Sequence, residues 1–391
     1  GTRLSRGLKT KRRILSRRFW RARELKKLSN VVVSFTERPD ERHLLKASAK
    51  LRNLIDIGLS KLLRTISLTQ FEPAGFEDFI WRTMFAKTLP ASDFQSVTEA
   101  GYRVLALPWM AMHHAGLRSL GRRGYPAVAM RGVDVFVSQT PYPGRIAKPT
   151  KLVVRYHDAI PLLMPHTIHT KSSHQATHFH SLLSNVSDGA WFACVSESTR
   201  RDLIRIVPEA ESRAVVIHNM LSPAYYAEES PFELVPGVIR SRSLGNREAQ
   251  WFPTFLTHAE REGFFRRHLP VEGDEYLLMV STIEPRKNHL RLIAAWESLR
   301  AIHDKRLKLV IVGTLGWDVE QTMRSLKPWL ERGEAFLLEG VPSAELRVLY
   351  RHASVTVCPS LGEGFDFSGL EAMASLGLVV ASDLPVHREV Y

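Results

Sequence analysis

Cysteine is almost missing from this chain. Cys194 and Cys358 are the two in 391 residues, and each sits inside an apolar run. That spacing excludes a disulfide framework and a cysteine-type zinc site, so a reducing cytosol is the expected compartment. No run of 18 apolar residues occurs, and no membrane-spanning helix is expected. A secretory leader pattern, internal repeats and low-complexity tracts are also lacking. Residues 31–130 contain no glycine-rich phosphate loop. Acidic residues are scarce at one end: residues 1–30 hold twelve Lys/Arg against one Glu, a net of +11 out of +14 for the whole chain. The basic character therefore belongs to a tail, not to a catalytic face. Leu4, Leu8, Leu15 and Phe19 give that tail helical spacing, so it reads as a basic amphipathic tail or a linker. An anionic membrane surface is its expected partner. Nucleic acid is the rival partner and is not the one expected.

What is present is enough apolar residue for a sizeable core, 44% of the chain, over a length that suits two domains. The most telling stretch runs from Pro359 to Ala372. An apolar strand ending at Cys358 enters the loop Pro359-Ser360-Leu361-Gly362-Glu363-Gly364-Phe365-Asp366, which opens into a helix carrying Glu371. A strand, a glycine loop and a helix N-terminus form a ready anion site, because free backbone N–H groups point at the ligand. The carboxylates of Glu363 and Glu371 suit hydroxyl groups instead. A ligand with a phosphate and many hydroxyls is a nucleotide sugar. Ser368-x-x-Glu371 also fits a capping box, which is a purely structural use of Glu371.

A second motif follows the apolar strand at Tyr276-Leu277-Leu278-Met279-Val280. The loop Ser281-Thr282-Ile283-Glu284-Pro285-Arg286-Lys287-Asn288 carries two adjacent cations before a helix, with Asn288 as the expected N-cap. Cations oppose the dipole at a helix start, and an anionic ligand is a favourable reason to put them there. A third motif is the strand Lys151–Tyr156 ending in His157-Asp158-Ala159-Ile160-Pro161. His174 and His178 are four apart, as metal ligands on a helix would be, but no Cys or carboxylate completes a set, and no metal site is expected.

Together these motifs resemble the retaining glycosyltransferases of family 4. The frame from Glu363 to Glu371, the E-P-R-K-N segment and the H-D-x-x-P segment carry the resemblance, over roughly residues 133–391. It implies an α/β protein of the GT-B fold, with two Rossmann-like doubly wound domains facing a cleft. The expected organisation is a tail over 1–30, an acceptor-side domain over 31–235, a linker over 236–271 and a nucleotide-sugar donor domain over 272–391. That donor domain is expected to be incomplete, because the family's continues with further β-α units. The implied reaction moves a hexose from a nucleotide diphosphate sugar to a glycan or lipid-linked acceptor. The variants look most like bacterial mannosyltransferases of surface polysaccharide assembly, so GDP-mannose is the expected donor and a UDP-sugar the alternative.

The resemblance also assigns roles. Arg286 and Lys287 contact the donor diphosphate, Glu363 the sugar hydroxyls, Gly364 and Phe365 add backbone donors, and Glu371 holds the ribose. Val341 lies near the nucleobase and His157 faces the sugar from the other domain. No cofactor and no metal are required. Asp366 and Ser368 replace the family's usual Gly and Pro, and Asp366 is expected to influence which sugar fits. A cytoplasmic enzyme, peripheral on the inner face of the membrane, is the expected setting. Another GT-B sugar-nucleotide enzyme, such as an epimerase, and a non-catalytic membrane-associated module are the alternatives.

Overall fold

A computed structural model describes residues 66–391 apart from positions 72, 87, 106–108, 110–111, 114–115, 117–123, 244–250, 270 and 272–273. The basic tail, the strand expected at Val31–Phe35 and nearly all of the helix expected over Leu44–Ile66 lie outside the described residues. The chain divides into two compact units, 1–136 with 143–152 and 137–142 with 153–391. Among the described residues of the first unit, Ile66–Ser67, Ala127–Ala129 and Arg145–Ile146 pair in parallel. Thr69–Phe71 pairs antiparallel with Tyr102–Val104. Among the described residues no helix is long and apolar enough to cross a membrane.

The second unit holds the first two motifs whole and the third from Val153 onward. Strand β1 (Lys151–Tyr156) pairs in parallel with β2 (Trp191–Cys194), which pairs in parallel with β3 (Ala214–Val216). Helix α1 (Lys171–Ser187) lies between β1 and β2 in the chain, and α2 (Glu197–Ile206) follows β2. Ser196 caps α2 as a serine should: its hydroxyl accepts from the Thr199 N–H at 3.0 Å.

The stretch read as a linker with a short helix near Trp251 to His268 holds that helix, α4 (His258–His268), and is entered through an unexpected one, α3 (Leu234–Arg242). Pro236 and Gly237 look like breakers in the sequence. Pro236 sits in the first turn, where the N–H it lacks would have had no helical partner. Val235, Val238 and Ile239 are buried against Leu346, Leu349 and Tyr350, and that packing outweighs the weak propensity of the glycine.

Five parallel strands follow: β4 (Tyr276–Val280), β5 (Lys308–Val312), β6 (Ala335–Leu338), β7 (Val355–Cys358) and β8 (Val379–Ala381), in the order β6-β5-β4-β7-β8. The intervening helices are α5 (His289–Ile302), α6 (Glu320–Glu331), α7 (Ser343–His352) and α8 (Phe367–Ala374), with α9 (Pro385–Val390) last. Both faces of this sheet are covered, which is why its strands read as unbroken apolar runs. Alternate residues enter opposite layers. Tyr276, Leu278, Val310 and Leu338 pack with α3 and α7, while Leu277, Met279, Leu309 and Leu337 pack with Trp296 and Met323 on the other side. Each fully buried aliphatic side chain contributes roughly 1.5–3 kcal/mol. This is the α/β, doubly wound architecture the motifs imply. The chain winds outward one way from β4 through β5 to β6, then returns to the far side of β4 at β7. The crevice between the ends of β4 and β7 is thus the strand-reversal point, where sheets of this kind bind ligands.

Candidate active site

The loops leaving β4 and β7 meet over that crevice. Their backbones are tied together: the Leu361 N–H donates to the Arg286 carbonyl at 2.9 Å, and Asn288 Nδ2 donates to the Pro359 carbonyl at 3.0 Å. Asn288 does start α5, but its side chain serves this tie and not the cap, and its backbone is left-handed with φ 62°. Asn is one of the few residues that adopt that conformation readily.

Three charged side chains fill the junction. Lys287 Nζ lies 2.5 Å from Glu363 Oε1, and Arg286 lies 2.6 Å from Glu363 Oε2. Arg286 also reaches Glu284 at 2.7 Å and donates to the Gly362 carbonyl at 2.8 Å. The Ser360 hydroxyl donates to Glu363 Oε1 at 2.7 Å. Glu363 is 5% exposed, so its charge is held almost wholly by these partners. Burial works against the charge of Arg286, but the Glu363 and Glu284 carboxylates outweigh it and push the guanidinium pKa up. Removing one partner of such a pair strands a buried charge and typically costs about 3–5 kcal/mol.

Glu371 makes its contacts elsewhere. The Tyr350 hydroxyl donates to Glu371 Oε2 at 3.0 Å, and the Tyr225 hydroxyl also bonds to this carboxyl. Burial raises the Glu371 carboxyl from its ordinary 4.5 to about 7, against the pull of the two tyrosines. The capping box is not formed. Asp366 is the N-cap of α8 and accepts from the Ser368 N–H at 3.1 Å, while the Ser368 hydroxyl donates to the Val280 carbonyl at 2.9 Å, tying α8 to the end of β4. Asp366 itself is buried and also accepts from the Tyr391 hydroxyl at 2.7 Å, with His387 Nε2 3.4 Å away as an ion-pair contact. Although burial opposes it, His387 and Lys287 hold its carboxyl well below the ordinary range. The expectation that Asp366 reads the sugar therefore meets a side chain already engaged as a cap. Val341 packs on the core layer that contains α3 and α7. The ring of Phe365 lies 5.2 Å from Phe367 and 6.2 Å from His218.

Residues after β1 close over the β7 loop. Gly364 is obligatory there, since a methyl group in its place would collide with the His157 carbonyl oxygen and lie 2.9 Å from the Asp158 Cβ. The Gly364 carbonyl accepts from the Ser196 hydroxyl at 2.8 Å. Burial and the nearby Arg155 cation lower the His157 pKa, so the imidazole is neutral at pH 7. Burial raises the Asp158 carboxyl, while Arg286 pulls it back and Glu363 pushes it further up. The N-terminus of α2 is already satisfied by an anion from within the chain: Glu389 accepts from the Glu197 and Ser198 N–H groups at 2.6 and 3.0 Å, and His218 meets it at 2.8 Å. His178, weighed above as a metal ligand, meets the Tyr156 hydroxyl at 3.3 Å.

The structure thus brings Arg286, Lys287, Glu363 and Gly364 together with the backbone of His157. Glu371 and Val341 belong to a neighbouring cluster built on α7 and α8. Sequence reasoning missed Ser360, Asp158, Glu284, Tyr225 and Tyr350 as members of the site. Glu284 and Asp158 stood inside quoted motifs. The two tyrosines had no local signal, because they reach Glu371 from distant parts of the chain.

Residues 260–391 match the family described as Glycosyl transferases group 1. The serotype-specific mannosyltransferase WbdA of Escherichia coli is 35% identical over 115 residues, 29% of this chain and 14% of that protein. The O-antigen chain mannosyltransferase B of Escherichia coli is 34% identical over 210 residues, 54% of this chain and 48% of that protein. This chain therefore spans less than half the length of either relative. Among solved structures, Anabaena Alr3699/HepE in complex with UDP aligns at 12% identity with a TM-score of 0.41, over 71% of this chain and 65% of that one. The segment that carries the β4 and β7 loops is thus the segment with the glycosyl transferase group 1 pattern.

Proposed function

We propose that this chain is a retaining glycosyltransferase of GT-B type that moves a hexose from a nucleotide diphosphate sugar to a glycan or lipid-linked acceptor in surface polysaccharide synthesis. One observation carries the reading: two cations and a carboxylate, from loops that are distant in sequence, share one buried cluster at the strand reversal. Relatives named as mannosyltransferases support mannose, from GDP-mannose, as the sugar.

In this reading the donor diphosphate takes over the cations that Glu363 now neutralises. Arg286 offers a planar fork and Lys287 a point charge, and both stabilise the negative charge that grows on the leaving group. Glu363, released from them, accepts hydrogen bonds from the sugar hydroxyls, with backbone N–H groups of Gly364 and Phe365 beside it. Glu371 holds the ribose hydroxyls, Val341 borders the base and His157 orients the sugar. No metal is needed in this scheme. Residues 1–30 hold the enzyme at an anionic inner-membrane face, near a lipid-linked acceptor.

Melting the protein with a panel of GDP- and UDP-sugars, followed by product analysis with labelled donor, tests the reading. One nucleotide sugar at 100 times its Kd adds about 2.7 kcal/mol of stability by mass action. The expected result is selective stabilisation by GDP-mannose and a labelled glycoside product. Stabilisation by none of the panel overturns the transferase reading, and conversion of the donor to its epimer assigns the other class of enzyme.

A further inference from the structure

Two tyrosines hold the carboxyl of Glu371, and neither belongs to the motifs that mark the site. The Tyr350 hydroxyl, on a wholly buried ring of α7, donates to Glu371 Oε2 at 3.0 Å. The Tyr225 hydroxyl bonds to the same carboxyl. Both rings are fixed in place. They meet edge-on, with centroids 6.3 Å apart. Arg347, three residues before Tyr350 on α7, donates to the Ala224 carbonyl at 2.7 Å and lies 4.1 Å over the Tyr226 ring, which pins the segment carrying Tyr225 to α7. Glu371 follows Ser368 by three residues, and residues so spaced are neighbours on one helix face. Ser368 bonds to the Val280 carbonyl, so Glu371 starts from the face of α8 that meets the end of β4.

Resting on the reading just given, we propose that Tyr350 and Tyr225 are positioning residues that aim Glu371 at the donor ribose and so set a preference for ribonucleotides over deoxyribonucleotides. The kind of partner is the first argument. Glu363 is neutralised by two cations, whereas Glu371 is held by two neutral donors. A neutral donor fixes a carboxyl without cancelling its charge, and hydrogen bonds to a charged acceptor are the stronger ones. Glutamine would satisfy the same hydroxyls without the cost of a buried charge, so the charge serves something other than packing. Acceptor capacity is the second argument. An ionised carboxyl offers about four acceptor positions. The two tyrosines take two of them, and the paired hydroxyls of a ribose match the other two. The donors are also fixed in their role: burial and the Glu371 charge raise both phenols above their ordinary 10, so each keeps its proton. Accessibility is the third argument. Glu371 keeps part of its surface open to a ligand, while Tyr350 is sealed and acts only through it.

Titration calorimetry of the full chain at pH 8, above the Glu371 pKa of about 7, tests the proposal. The probes are GDP and UDP, each with its 2′-deoxy and 3′-deoxy forms. The wild type is expected to bind its ribonucleotide at least about tenfold more tightly than the deoxy forms, as a hydrogen bond to a charged group implies. Tyr350→Phe and Tyr225→Phe remove a hydroxyl and keep the ring. Each is expected to shrink the ribose preference about fivefold, the value of one lost hydrogen bond, and to leave affinity for the deoxy forms within about twofold. Wild-type preference in either folded variant contradicts the proposal, and Tyr225→Phe, at the less buried ring, decides it if Tyr350→Phe does not fold. Equal weakening of ribose and deoxy forms also overturns it, because that is the mark of a merely structural role. A wild type that binds nucleotide without ribose preference removes the ribose from Glu371 and the proposal with it. A wild type that binds neither GDP nor UDP removes the transferase reading itself.

Discussion

Glu363 is a carboxylate with two cationic partners and a hydroxyl, and this makes it exchangeable. Its bonds to Lys287 and Arg286 are short and buried, yet both partners are equally suited to phosphate oxygens. In the proposed reading a diphosphate brings more negative charge than one carboxylate, so its binding would trade one buried ion pair for another and avoid the cost of an unpaired charge. Glu371 behaves differently. Its pKa is raised to about 7 by burial, so the folded protein holds a proton here that the unfolded chain gives up near 4.5. Between these values the unfolded state binds fewer protons, and stability falls as pH rises. The contribution is fully present below about pH 4.5 and is gone above about 7. Chemical denaturation of wild type and Glu371→Gln from pH 4.5 to 8 measures this. The stability of the wild type relative to the variant is expected to decline across that window. A pH-independent difference contradicts the assignment.

At the scale of elements, the site depends on how α8 begins. Asp366 caps it, Ser368 ties it to β4, and Tyr391 and His387 from the α9 segment fix the cap in place. Asp366→Ala removes about 1 kcal/mol of capping and strands partners worth about 1–3 kcal/mol more. A loss of at least about 2 kcal/mol in denaturant unfolding is expected, against well under 1 kcal/mol for an exposed side chain. The elements themselves were legible. Ala335–Leu338 falls where its apolar run ends, between Glu334 and Glu339, since a strand buried on both faces leaves no polar residue to blur its limits. The cap was not legible: Ser368-x-x-Glu371 and Asp366-x-Ser368 compete for the same turn. Tertiary partners decide between them, with Val280 taking the Ser368 hydroxyl and Tyr350 taking Glu371.

On the scale of the whole molecule, the sheet order converts sequence distance into proximity. Arg286 and Glu363 are 77 positions apart, but β4 and β7 are neighbours, so their exit loops converge. A sequence supplies the two loops. The pairing of β4 with β7 supplies the crevice, and no local pattern encodes it. The same holds for Gly364, whose missing side chain is explained by the His157 carbonyl across the unit. The central claim is that the Arg286–Lys287–Glu363 cluster is where the donor diphosphate and sugar are held. Transfer of labelled hexose to acceptor by Lys287→Ala and Glu363→Gln, each checked for an intact fold by circular dichroism, tests it most directly. Loss of one preorganised electrostatic contact typically lowers turnover by about a hundredfold to a thousandfold, and the account predicts a loss of at least that size in both variants. Transfer at the wild-type rate by either folded variant would contradict it.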